Sequence, residues 1–100
     1  MIDQTFRALA DPTRRHILRL LKDRDLAAGD LAGHFDMAFA SVSHHLQVLR
    51  DSGLVQSRRD GQFIIYSLNT TVFQDALQHL LDISGNPPRK KGTTRTRGGS

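Results

Sequence analysis

No cysteine occurs in the 100 residues of this chain. That excludes disulfides, zinc–thiolate sites and thiol redox sensing, and leaves any metal site to histidine and aspartate. No apolar run approaches the roughly 20 residues that cross a bilayer, and Met1-Ile2-Asp3-Gln4 lacks the charged and apolar regions of a secretion signal. The expectation is a cytoplasmic protein with no stable membrane insertion. No phosphate loop, nucleophile elbow or paired-carboxylate cleft is present either. Ser43 and His44 are adjacent and point apart, while Ser41 and His45 could touch but have no evident orienting acid or oxyanion donors. The chain therefore reads as no enzyme and calls for no cofactor.

Basic surplus is also missing where a high charge would imply it. The formal charge is +4, yet Arg89, Lys90, Lys91, Arg95 and Arg97 place +5 of it after Asn86. Residues 1–86 hold nine basic against ten acidic residues, a balance of −1. A nucleic-acid reading must then rest on where individual charges sit. Residues 87–100 contain no hydrophobe and cannot offset their ordering entropy by packing, so they read as a disordered basic tail, a source of loose phosphate contacts or a solubilising terminus. Residues 1–86 form one small domain. A domain of this size buries only about 60–65% of its unfolded surface, so a lone monomer would be marginal.

What the chain does have is concentrated between Ala38 and Leu68. Val42, Leu46 and Leu49, with Phe39 as a further candidate, fall on one helical stripe, leaving Ser41, Ser43, His44, Gln47 and Arg50 away from it. Gly53 supplies the left-handed stop, ending the helix near Ser52. Leu54 to Arg59 and Gln62 to Leu68 read as two strands around an Asp60-Gly61 turn. Ile64, Tyr66 and Leu68 share one face of the second strand; Phe63 and Ile65 share the other. Arg58, Arg59 and Gln62 cluster at the hairpin tip, where phosphate or a groove edge is the expected partner.

Upstream, Ile2, Phe6 and Leu9 mark a short helix, and Asp11-Pro12 caps and starts a second. That helix turns Ile17, Leu18, Leu20 and Leu21 inward; Arg14, Arg15, Arg19 and Lys22 read as a solvated face. A short helix from Ala28 to Phe35 followed by helix 39–52 makes a helix-turn-helix. Ala38 stands where a capping Ser or Thr is expected, so Ser41 is assigned part of that role. His45, beside the buried stripe, reads as a packed or capping histidine. The last helix, Thr70 to Ile83, is apolar over more than half its circumference. It is expected to bury Val72, Phe73, Ala76 and Leu80 against a second copy together with Ile2, Phe6 and Leu9, in a twofold homodimer.

Ala8-Leu9-Ala10-Asp11-Pro12-Thr13-Arg14-Arg15, Ser43-His44-His45-Leu46, Gly53-Leu54-Val55 and Gly61 to Leu68 together resemble the ArsR-type winged-helix repressors of bacteria. The resemblance covers residues 1 to about 84 and is nearest to cysteine-free autorepressors of the sporulation-delay operon type. It implies a mainly α winged helix-turn-helix fold: four helices, a two-stranded wing and a fifth helix. It also implies a homodimer through the first and last helices, repression by blocking a promoter, and DNA contacts by Ser43 and His44. Ala40 and Phe39 depart from the polar residues frequent there, which reduces direct base contacts unless Phe39 meets a thymine methyl.

In double-stranded operator DNA, Ser41, Ser43, His44 and Gln47 would enter the major groove, with Arg50, Arg58 and Arg59 on phosphates. Metal-responsive repression is the alternative within the fold: Asp75, His79 and Asp82 share a helix face, though their spacing departs from the family's ligand pattern. An antirepressor protein is a further possible partner, for which Phe63 and Ile65 could serve; packing of both under the last helix is the competing explanation.

Overall fold

A computed structural model of the chain describes residues 2–83, with side chains from residue 3 onward. The elements run α1 (Ile2–Leu9), α2 (Pro12–Asp23), β1 (Leu26–Ala27), α3 (Ala28–Ala32), α4 (Phe39–Asp51), β2 (Val55–Asp60), β3 (Phe63–Leu68) and α5 (Thr70–Ile83). The winged helix-turn-helix order is present, with one strand more than the sequence suggested. Leu26 and Ala27 pair antiparallel with Tyr66 and Ile65, giving a sheet of order β1-β3-β2. Two residues cannot display a period of two, so this strand left no pattern to read. The basic tail at 87–100 lies outside the described residues.

Helix boundaries follow local chemistry. Asp11, in extended conformation, caps α2 by accepting the Arg14 amide at Oδ2, 3.0 Å away, and Pro12 occupies a position whose amide needs no partner. The last turn of α1 leaves carbonyls without intrahelical partners, and two arginines of α2 take them. Arg14 donates from Nε to Ala8 O at 2.7 Å and from Nη2 to Arg7 O at 3.1 Å, and Arg15 Nη1 reaches Leu9 O at 2.8 Å. Neither arginine is merely part of a solvated face, as the spacing alone had implied. The third helix is shorter than expected: after Ala32 the chain tightens into a turn, with His34 N–H on Leu31 O and Phe35 N–H on Ala32 O. Gly33, a poor helix former, sits where it ends.

At the start of α4 no side chain caps the helix. Ser41 joins the first turn through its amide, which donates to Ala38 O at 2.9 Å, so the capping role assigned to its hydroxyl is not filled. The far end is closed as the sequence indicated. Gly53 has φ +85°, and its amide donates to Arg50 O while that of Leu54 donates to Leu49 O, a Schellman closure. This turns the chain directly into β2.

The wing is paired from Val55↔Leu68 to Asp60↔Phe63, so its two-residue turn is Gly61-Gln62, one position later than expected. Gly61, at φ +65°, provides the positive dihedral that tight hairpins need at their first central residue. Tyr66 and Leu68 pack with Val55 against the core. That core is built from Ile17 and Leu21 of α2, Leu31 of α3, Val42, Leu46 and Leu49 of α4, and Leu54. Each such side chain stabilises by about 1.5–3 kcal/mol on burial. Together they hold α4 with its polar face outward. Among the described residues no helix is long and apolar enough to cross a membrane.

Candidate nucleic-acid interface

The polar face of α4 is open. Ser41, His44, Gln47 and Arg50, spaced three residues apart, are all exposed, while Ser43 is half-buried. Phe39, in the first turn, has 57% of its surface exposed and so does not join the buried stripe for which it was a candidate. Gln47 is not idle in the free protein: its Nε2 donates to Asp51 Oδ1 at 2.8 Å, one turn further along. Any pairing with a base edge must exchange that exposed hydrogen bond, a small cost because the competing bond is open to water.

Arg50 connects the helix to the wing, with Nη1 3.4 Å from Ser57 Oγ. Alternation along β2 puts Ser57 and Arg59 on one face and Arg58 on the other. The expected cluster of Arg58, Arg59 and Gln62 is therefore divided by the pleat. Arg59 lies on the face that Arg50 reaches, and its Nη1 is 3.5 Å from Gly61 O. Gln62 is exposed at the turn. Arg58 turns away to Asp25, its Nη1 3.0 Å from Oδ2. Asp25 was missed because a lone acid in a polar turn carries no periodic signal.

Behind the helix, His45 is a packed residue, as its place beside the stripe implied. Its Nδ1 lies 3.1 Å from Arg14 Nη1 and 3.8 Å from Asp11 Oδ2. Burial pushes the Asp11 carboxyl up, but the Arg14 amide, electrostatic attraction to the nearby His45 and Arg14 side chains and the Thr13 amide together outweigh it and hold it below the usual aspartate value.

The residues assigned to a dimer surface separate into groups. Ala76 is corrected: its 0% exposure seals it inside the protomer, where it anchors α5 to its own core. Leu9, Val72 and Phe73 are half-buried against that core. Phe6 is half-buried and meets the His79 ring edge-on at 6.4 Å. The Ile2 side chain lies outside the described residues. Leu80 is 46% exposed and has exposed apolar neighbours in Leu77, Leu81 and Ile83. An apolar groove of about 430 Å³ runs between α2 and α5, lined by Leu9, Leu18, Phe73, Leu77 and Leu80 with Arg15, Arg19 and Lys22.

Among the described residues, no three histidine or carboxylate side chains assemble as a metal-binding group. His79 Nδ1 instead faces Asp75 O at 3.1 Å, and Asp82 accepts from Gln78. Phe63 is 55% exposed, so packing under the last helix does not account for it; Ile65 is half-buried.

A helix-turn-helix whose second helix bares a polar face, joined through arginine to a basic hairpin, defines a winged helix-turn-helix DNA-binding regulator. Comparison with known proteins agrees. Residues 11–57 match the model of the bacterial regulatory protein, arsR family. The chain is 49% identical over 81 residues to the transcriptional repressor SdpR of Bacillus subtilis, covering 81% of this chain and 90% of that protein. It is 40% identical over 72 residues to the arsenical resistance operon repressor of Staphylococcus aureus, covering 72% and 69% of the two chains. An ArsR-like transcriptional regulator from Rhodococcus sp. RHA1 superposes with a TM-score of 0.72 at 30% identity, over 83% of this chain and 78% of that one. The chain belongs to the ArsR family, as a transcriptional repressor and not an enzyme.

Proposed function

We propose that the chain acts as a homodimer that reads a palindromic operator in double-stranded DNA and represses by occupying it. The observation that carries this reading is the Arg50–Ser57 link, which joins the open face of α4 to the wing face bearing Arg59. Ser41, Ser43, His44 and Gln47 enter the major groove, where Gln47 can pair bidentately with adenine. Arg50 and Arg59 take phosphates, with Arg58 and Gln62 beside them on the wing.

The exposed leucines of α5 support a twofold partner, since a single small domain leaves them in water. Twofold symmetry places half-sites about 34–36 Å apart. A cytoplasmic location follows from a DNA target, and exposed Phe63 is the wing surface available to an antirepressor protein.

Selection of binding sequences from a random duplex pool tests the proposal. The expected product is an inverted repeat with one-turn spacing, bound by two copies. A pool that fails to converge, at moderate salt and with competitor DNA present, overturns it.

A further inference from the structure

One cluster behind the reading face joins three elements. Arg14, in the first turn of α2, grips the end of α1 through Ala8 O and Arg7 O and extends Nη1 to His45 Nδ1 on α4 at 3.1 Å. A guanidinium in a protein carries donors only, so Nδ1 must be the acceptor. The bond therefore requires the tautomer with its proton on Nε2. The other titratable groups facing this ring are Asp11, whose Oδ2 is 3.8 Å from Nδ1, and His44 of the same helix, with ring centroids 5.9 Å apart.

A second tie lies further along: Thr5 Oγ1 of α1 donates to Ser52 O at the end of α4, 3.3 Å away. The two ties are separated by about two helical turns, roughly 10 Å. Between them the helix rests on Leu46 and Leu49, and beyond His45 on Val42, whose burial is not directional. One tie leaves a helix free to pivot, whereas two fix its axis. A tilt of about 10° would displace a side chain two or three turns from the pivot by about 2 Å, beyond the tolerance of a hydrogen bond to a base.

We propose that Arg14 and His45 are positioning residues for DNA recognition: the bond between them fixes the pitch of α4 against the α1–α2 corner, so that two copies present their reading faces in register with the operator. The proposal rests on the reading of α4 as the base-reading helix.

The test compares the full-length chain with His45→Asn, whose amide oxygen can replace the Nδ1 acceptor, and His45→Ala, which has none. Each is measured against a selected operator and a non-specific duplex, well below its thermal midpoint. His45→Ala should lose about tenfold or more in operator affinity while non-specific affinity stays within about twofold; His45→Asn should stay within about threefold of the parent. Nitrogen NMR of the parent should show the proton on Nε2 and an acceptor at Nδ1.

Equal binding by His45→Ala and the parent overturns the proposal, as does a His45→Asn protein as weak as His45→Ala. Parallel loss of operator and non-specific binding, or a proton found on Nδ1, does the same. A parent chain with no sequence preference overturns the underlying reading of α4. A parent that reads its operator beside a His45→Ala protein that reads it equally well overturns the positioning role alone.

Discussion

Arg58 on β2 and Asp25 at the entry to β1 form an ion pair, Nη1 to Oδ2 at 3.0 Å, with 58% and 45% of the two side chains exposed. An exposed pair of this kind contributes little to stability. Its effect is on charge: the wing cation is neutralised by the protein itself, and a phosphate must displace the carboxylate to use it.

Replacing Asp25 with Ala should therefore strengthen DNA binding. Affinity for any duplex is expected to rise about two- to fivefold at low salt, with the slope of log K against log salt steeper by about one phosphate. Unfolding free energy should change by less than about 0.5 kcal/mol. Titrations at two salt concentrations decide it. Unchanged affinity and slope would show that Arg58 stays off the DNA.

Gln47 and Arg59 should fail in different ways. Gln47→Ala removes the proposed base reader, and the expectation is a loss of about 1–3 kcal/mol confined to one operator position. Arg59→Ala should weaken all sequences alike and reduce the salt slope by about one. Binding of single-base operator variants by both proteins separates the two behaviours.

On α5, Leu80→Arg places a charge in the exposed apolar patch without disturbing the buried Ala76. The parent is expected to sediment as a dimer and the altered chain as a monomer at the same concentration. Its thermal midpoint should no longer depend on protein concentration. Persistence of the dimer would move the interface away from this face.

Asp11 ties stability to pH. Its carboxyl is held below the ordinary value because the opposing hydrogen bonds and charges outweigh burial. A depressed folded value means that its contribution is present above the ordinary aspartate value of 3.8 and fades as pH falls through the folded one. Asp11→Ala should cost about 0.5–2 kcal/mol at neutral pH through loss of the cap. The gap between the two proteins should narrow in strong acid. Denaturant unfolding at pH 7 and pH 3 measures both points.

Much of the fold was legible because its signals act over a few residues. The Val42–Leu46–Leu49 stripe, the Asp11 cap before Pro12 and the left-handed Gly53 each depend on a helical period, a side chain reaching its own backbone or a single dihedral. The exposed polar face of α4 followed from the same stripe. The hairpin was legible too, though Asp60-Gly61 and Gly61-Gln62 are neighbouring solutions for one glycine. Only the cross-strand register chose between them.

Other features belong to the tertiary structure alone. Arg58 meets Asp25 across 33 positions and Arg14 meets His45 across 31, separations at which no periodicity relates two side chains. Arg14 and Arg15 resembled a solvated surface until the end of α1 came to rest beside them. Ala76 looked available to a partner until its own core closed over it. Apart from β1, which exists through its pairing with β3, the sequence by itself determined which segments become helix or strand and which faces are apolar, because those choices are made by neighbours along the chain. Chain packing decided which cations are paired and which tie one helix to another, because those contacts depend on groups that only folding brings together.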